Sequence, residues 1–454
     1  MSLFLGDANG EPIPSFLEGM SAGQRQFAAR QTKASGTSFV SVSVRCFSCS
    51  DPWSISARCK PLICLVADTL GSLPYGLLPI YYGLKSVSGE EFWACVYGTY
   101  GQVTQIFFPN RDLVVFDIAQ GNAEAVIASL QGMLSRRRQE IEALIQLRDK
   151  QAIRCIGLLD MVSNFGHQAI NHLSGIQRLI DLALLNNVDE VWTSGILFFG
   201  NIESTFPELQ GRVRYFATQW DIASEVWRAP YEIIRLGSTY LSSELKSRIL
   251  KTARFSQVQS RQNLLVVTVR TRGRVCINLA EVVGEIYKRL HSRFELKLAL
   301  DGWVLPESAA VAGSSVGAAV SDYYVGVIRE EIALAGEIAK RLPPGSIVMN
   351  TIGRSMLESL NDLNSATAYF SHVGTLQHKL GLLLSLPGVV HGPKSQVSDP
   401  EGGSYLSEEG VSPVFMPENL VEDIPTLSIR GQSFADYRIL DVAFPTERLS
   451  QLMK

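Results

Sequence analysis

Three short stretches of the chain carry residues able to do chemistry, and each lies where an apolar run gives way to a helical pattern. The first is Asn164-Phe165-Gly166-His167-Gln168-Ala169-Ile170-Asn171-His172, after a run that ends near Asp160. Ligands of open α/β sheets bind at the carboxyl ends of strands, so His167 is placed for a general base. A histidine that caps backbone groups gives the same pattern. His172 falls five positions on and does not share a face with His167, which suits a structural role. Asp160, and Glu203 after Phe198-Phe199-Gly200, are carboxylates that offer the same service. The second stretch is Arg270-Thr271-Arg272-Gly273-Arg274, followed by Asn278 and Glu281. Three guanidiniums at one strand end repel one another unless an anion such as a diphosphate neutralises them. The alternative is a solvated turn whose arginines pair with Glu281 and other acids. The third is His372-Val373-Gly374-Thr375-Leu376-Gln377-His378-Lys379. Here a strand ends, a glycine turn follows and a helix begins near Thr375, whose N–H groups and dipole would meet a phosphate. His372 and Lys379 would add charge or hydrogen bonds. An ordinary capped helix also fits.

What is missing narrows the chemistry. The chain has no G-x-x-x-x-G-K-[ST] loop and no G-x-G-x-x-G after a strand. Nucleotide hydrolysis and dinucleotide redox chemistry thus lose their usual signatures. No Asp-x-Asp occurs, so the manganese-holding pair of one large class of sugar transferases is absent and no metal or cofactor is expected. Forty-one Lys and Arg against 44 Asp and Glu give a net charge of −3, which argues against a dedicated nucleic-acid binder. With 46% hydrophobic and 19% charged residues the chain reads as folded. Neither a membrane span nor a secretory signal is visible, so the expected address is cytoplasmic, with peripheral membrane association left open. Cys46, Cys49, Cys59 and Cys64 invite a zinc reading. Cys64 lies inside the run Leu62-Ile63-Cys64-Leu65-Val66, where a buried thiol fits better.

The elements that must position these residues follow from periodicity. Residues 1 to 35 read as an irregular arm. Phe39 to Val44, Leu62 to Ala67, Phe92 to Tyr97, Val103 to Phe108 and Leu113 to Ile118 read as strands, and Ala123 to Lys150 as one long helix. Its Arg136-Arg137-Arg138 run, followed by Glu140 and Glu142, reads as a solvated face. From Ala152 strands alternate with helices: strand Ile153 to Leu159, helix Gly166 to Asn186, and so on to a polar linker at Arg254 to Gln262. The alternation restarts with the aliphatic strand Leu264 to Val269 and the helix Asn278 to Leu290. Ala309 to Ser321, rich in small residues, reads as a loop before a helix from Tyr324 to Leu342; a carboxyl-terminal helix closes the chain. This predicts an N-terminal arm, β-rich region and long helix over 1–150, a first Rossmann-like (acceptor) domain over 151–258 and a second (nucleotide-sugar) domain over 259–454.

Taken together the motifs resemble a GT-B glycosyltransferase: α/β, two Rossmann-like domains facing a cleft, with the β-rich N-terminal region attached. The pattern is similar to the family of plant xylan arabinosyltransferases and xylosyltransferases and the animal transferase that puts N-acetylglucosamine on EGF repeats. Asn164 to His167 resembles that family's Phe/Gly-His element. Arg270, Arg274, Asn278 and Glu281 match its arginine, arginine, Asn-x-x-Glu order, and His372 to Leu376 its His-Gly-Ala-x-Leu turn. Gln168 and Asn171 stand where the family has Trp and an acid, and Val373 is an extra residue. The resemblance implies a nucleoside-diphosphate sugar held by Arg270, Arg274, Asn278, Glu281, His372, Gly374, Thr375 and Lys379. His167 or Asp160 would take the proton of a saccharide or glycan acceptor hydroxyl, with inversion and without a metal. The product would serve surface polysaccharide or glycan assembly. A non-catalytic GT-B-like partner of an active transferase and a sugar-nucleotide epimerase remain alternatives.

Overall fold

Short apolar runs separated by turn residues pair where their alternation matches, and longer periodic segments cover the resulting sheets. The computed structural model describes residues 60–68, 79–85, 89–96, 103–111, 113–117, 123–161, 164–237, 240–253, 263–309, 315–398, 406–407, 412–424 and 435–454, together with residues 22–23, 27–31 and 46–47 in paired strands. The alternating run at Phe39 to Val44, the linker at Arg254 to Gln262 and two of the zinc-candidate thiols, Cys49 and Cys59, lie outside the described residues. The chain divides into two compact units, 1–162 with 171–195 and 211–238, and 163–170 with 196–210 and 239–454.

The first unit carries an antiparallel sheet of β1 (Phe27–Gln31), β2 (Lys60–Val66), β3 (Ile80–Lys85), β4 (Glu91–Val96), β5 (Val103–Phe108) and β6 (Leu113–Asp117), in spatial order β1-β6-β5-β4-β3-β2. Ile63, Leu65, Tyr81, Cys95 and Phe107 pack under α1 (Ala123–Arg136) and α2 (Arg138–Arg148). The long helix expected over 123–150 is therefore two helices. Arg137 breaks it at φ −113° and ψ 23°, where its Nε reaches Asp68 at 2.9 Å and its Nη1 reaches Glu140 at 2.6 Å. Cys64 donates to the Ile233 carbonyl, and burial pushes its thiol up to about 12, as a structural cysteine requires. Among the described residues no group of three or more His, Cys, Asp or Glu is arranged to hold a metal. No helix among them is long and apolar enough to cross a membrane.

A parallel sheet follows: β7 (Arg154–Met161), β8 (Glu190–Leu197), β9 (Val213–Phe216) and β10 (Tyr231–Arg235), in order β9-β8-β7-β10. After β7 the chain enters α3 (Phe165–His167), passes through a π-helical stretch at Gln168–Leu173 and continues as α4 (Ser174–Asp181). The one helix expected over 166–186 is thus three segments.

In the second unit all six strands of one sheet are parallel: β11 (Leu264–Thr268), β12 (Lys297–Asp301), β13 (Val348–Asn350), β14 (Ala368–His372), β15 (Gly388–His391) and β16 (Val414–Phe415). Their spatial order is β13-β12-β11-β14-β15-β16, or 3-2-1-4-5-6 in chain order, the doubly wound Rossmann arrangement. Alternation sends Leu265 and Val267 to one face and Leu264 and Val266 to the other. Helices α5 (Leu279–Phe294), α6 (Ser315–Ala339) and the carboxyl-terminal α9 (Ala443–Leu452) supply buried residues to the first face. On the second face lie Leu363 from α7 (Met356–Leu363) and Leu380, just beyond the one-turn helix α8 (Thr375–His378). The helix expected from Tyr324 starts at Ser315, taking in part of the segment expected as a loop, because alanines at 318 and 319 favour helix. A hairpin of β17 (Val421–Ile424) and β18 (Asp436–Ile439), unforeseen in the sequence, precedes α9.

Candidate functional site

Strands β11 and β14 are neighbours, yet the chain leaves them in opposite directions, toward β12 and toward β15. Sheets of this order open a crevice at that switch point, beyond the carboxyl ends of the strands. The segment leaving β11 turns through Gly273 (φ 59°) and Arg274 (φ 58°). Left-handed backbone is ordinary for glycine but costs an arginine about 1 kcal/mol. The turn brings Arg274 back against the segment leaving β14. A Cβ placed on Gly374 would lie 3.3 Å from Arg274 Nη2 and 3.8 Å from Arg270 Nη1. Gly374 itself sits at φ 119° and ψ −154°, a conformation open essentially to glycine alone. Glycine is required there twice, by the backbone and by the two guanidiniums.

The arginines of this turn differ. Arg272 is exposed and forks onto Glu330 at 3.0 and 2.6 Å. Arg274 is half-buried, and its Nη1 donates to Gln396 at 3.0 Å. Burial first, and then the neighbouring Arg270, pull the Arg274 guanidinium down to about 10, with Tyr437 opposing. Two like charges held this close raise the local potential, and a phosphate oxygen would relieve it.

Behind the arginines the polar groups are neutral. Ser371 Oγ donates to the His372 carbonyl and accepts from Thr268 Oγ1, each at 3.0 Å. Thr268 Oγ1 takes the His372 N–H at 2.9 Å and lies 3.1 Å from its Nδ1, so this network assigns the proton to Nδ1. His391 Nδ1 is 2.6 Å from the Tyr437 hydroxyl. Burial holds His391 down at about 3 and His372 well below the usual histidine range. It holds the Tyr437 hydroxyl well above its ordinary range, so that this O–H donates.

Lys379 lies deeper. Its fully buried Nζ donates to Asp301 Oδ1 at 2.6 Å and to Ser359 Oγ at 3.0 Å, and the same carboxylate oxygen also accepts from Ser359 Oγ at 3.2 Å and Thr351 Oγ1 at 2.7 Å. The side chain thereby ties the helix after Gly374 to the end of β12 and to α7.

A further element reaches this place. Asn164 caps α3 by accepting from Gly166 N–H at 3.0 Å and His167 N–H at 3.3 Å, and its amide donates to Thr375 Oγ1 at 3.2 Å. A Cβ on Gly166 would lie 2.8 Å from Thr375 Cγ2. The cap is therefore Asn164, and His167, half-buried, stands one residue past the glycine that touches Thr375. Asp160 pairs in register with Ser194 within β7 and β8 and belongs to the first unit.

Of the site residues expected from sequence, Arg270, Arg274, Gly374, Thr375 and His167 lie on segments packed together and half-exposed. His372 and Lys379 are beside them but buried within hydrogen-bonded networks. Asn278 and Glu281 have other partners. Asn278 pairs like a strand residue with Ile439, donating to its carbonyl at 2.8 Å and accepting its N–H at 3.1 Å, while Glu281 is exposed and holds Arg341 at 2.6 Å. Sequence reading missed Asp301, Gln396, His391 and Tyr437. Asp301 carried a signal, a single carboxylate ending the apolar strand Leu298-Ala299-Leu300. Gln396, 122 residues from Arg274, carried none.

No protein-family profile matches the chain, and no curated protein matches it. Likenesses to solved structures are distant. S. aureus MnaA, in a co-structure with UDP, is 13% identical with a TM-score of 0.23, over 56% of this chain and 61% of that one. A Listeria monocytogenes protein named as a UDP-N-acetylglucosamine 2-epimerase is 15% identical with a TM-score of 0.24, over 57% and 61%. The structure of accessory secretory proteins 1, 2 and 3 of Streptococcus pneumoniae is 9% identical with a TM-score of 0.19, over 69% and 54%. The matched region is thus less than two thirds of each of those chains.

Proposed function

We propose that this protein is a sugar-nucleotide enzyme, a glycosyltransferase that binds a nucleoside-diphosphate sugar at the switch point of the six-stranded sheet. One observation carries the reading: Arg270 and Arg274 converge on Gly374, and the groups behind them are neutral. In this reading the diphosphate lies on the two guanidiniums and the backbone of Gly374 and Thr375. Lys379 and His372 support those groups from below. The acceptor hydroxyl attacks the anomeric carbon, the bond from that carbon to the phosphate oxygen breaks, and the departing diphosphate carries away the electron pair. Fixed cations meet the developing charge without reorganising. His167 takes the hydroxyl proton, supported by the contact that Asn164 and Gly166 make with Thr375.

The test is to incubate the protein with UDP- and GDP-sugars, with and without a panel of saccharide acceptors, and to follow the anomeric carbon by NMR. Transfer that depends on acceptor, and falls by about 10²–10⁴ in His167→Ala, is the expected outcome. Conversion of the sugar without acceptor would replace the transferase by an epimerase. Failure of every nucleotide sugar to bind would leave a non-catalytic partner.

A further inference from the structure

The carboxyl of Glu331 plays no part in that reading, yet it is built into the same edge of the sheet. It lies on α6, 2% exposed, and its Oε2 accepts the Trp303 N–H at 2.6 Å. It rests on bare backbone, since a Cβ on Gly302 would come within 2.4 Å of the same oxygen. Strand register ties this place to the arginines. Thr268 pairs with Asp301, and the Val269 N–H bonds the Asp301 carbonyl at 2.6 Å. The two strands therefore run out side by side, one into Arg270 and the other into Gly302 and Trp303. Three charged groups act electrostatically on Glu331: Asp301 from β12, Lys379 from the helix after Gly374, and Arg270 from the loop after β11. On its own helix the neighbouring Glu330 holds Arg272. Lys379 and Asp301 neutralise each other, which leaves Arg270 as the charge whose surroundings change when an anion arrives.

We propose that Glu331 is a positioning residue for Arg270 that exchanges ionisation with the bound anion, ionised when the site is empty and protonated when a diphosphate occupies it. This rests on the diphosphate reading given above. Burial lifts the Glu331 carboxyl to about 7, with the Trp303 N–H opposing and Asp301 adding to the rise, so both states lie near neutral pH. A diphosphate beside Arg270 adds negative charge and raises it further, so binding takes up a proton. The other groups hold their charge state meanwhile: Arg274 titrates at about 10, His391 at about 3 and His372 well below its ordinary range.

The test is calorimetric titration of the full chain with UDP and with inorganic pyrophosphate, each in two buffers of different ionisation heat. From about pH 8.5 to about pH 6.5 affinity is expected to rise about three- to tenfold, although the phosphate itself loses charge toward its pKa near 6. Net proton uptake between those pH values should be about one quarter to one half per anion in the wild-type protein, a measurement that needs no variant. Glu331→Gln should abolish the uptake and flatten the profile to less than about twofold. Absent uptake, or uptake and profile unchanged in Glu331→Gln, with both probes still binding, would overturn the role of Glu331 and leave the diphosphate site standing. If neither probe binds at any pH, the diphosphate reading falls and this proposal falls with it.

Discussion

Lys379 and Arg274 are cations withdrawn from water at the carboxyl edge of one sheet, and the protein answers their charges in opposite ways. Lys379 is given a carboxylate at 2.6 Å and a hydroxyl at 3.0 Å, with no surface left to solvent. Arg274 is given an amide oxygen, a left-handed backbone and a second cation. A buried ion pair holds elements in register and has nothing left to bind with, while a strained, half-exposed cation beside its like has a reason to take an anion. In the proposed reading the two side chains divide support from recognition.

Breaking the support should cost most. Lys379→Ala strands the Asp301 carboxylate, and chemical denaturation should show a loss of about 3–5 kcal/mol, whereas Lys379→Met with Asp301→Leu should recover much of it. Equal loss in the double variant would mean that packing rather than charge governs the site. Next comes the acid side. His391 is held down to about 3 against about 6.5 in the unfolded chain, so the unfolded state takes up its proton first. That contribution is complete above about pH 6.5 and is lost as pH falls toward 3. Between pH 7 and pH 4 wild type should therefore lose about 3 kcal/mol more than His391→Phe, read from melts at each pH. Glu331 works in the reverse direction, because the contribution of its raised carboxyl is complete below about pH 4.5 and is lost as pH rises from there to about 7. A variant that loses acid sensitivity at Glu331 instead would invert the assignment.

The recognition half should cost binding and spare the fold. Arg274→Ala is expected to weaken UDP binding by about 1.5–3 kcal/mol, the range for a charge-assisted hydrogen bond. Arg274→Gly sharpens the contrast: it should lose the same affinity while gaining up to about 1 kcal/mol of stability as the left-handed strain is relieved. A destabilised Arg274→Gly would make the arginine a structural residue like Lys379.

Much of the scaffold was legible in order of residues alone. Leu264 to Val269 and Asn278 to Leu290 announce a buried strand and its covering helix, because burial on two faces or one stripe leaves a period in the chain. The glycine turn at Gly374 was legible too, since its backbone needs a residue type that few positions tolerate. Local pattern misled at Arg137 and at Ser315. A break stabilised by Asp68 depends on a residue 69 positions away, and small residues favour helix as readily as loop.

What residue order could not distinguish was the fate of each candidate charge. Arg272 and Arg274 are two positions apart and chemically identical, yet one forks onto Glu330 and the other leans on Gly374. Lys379 reads as a phosphate ligand until Asp301, 78 residues away, is placed beside it. Asn278 reads as part of an Asn-x-x-Glu motif until the strand at Ile439 binds its amide through both its oxygen and its nitrogen. The sequence determined which residues could carry charge and which segments would end at the sheet edge. Only the tertiary structure decided which charges were already neutralised, because neutralisation falls off within a few ångströms and is supplied by residues far away in the chain.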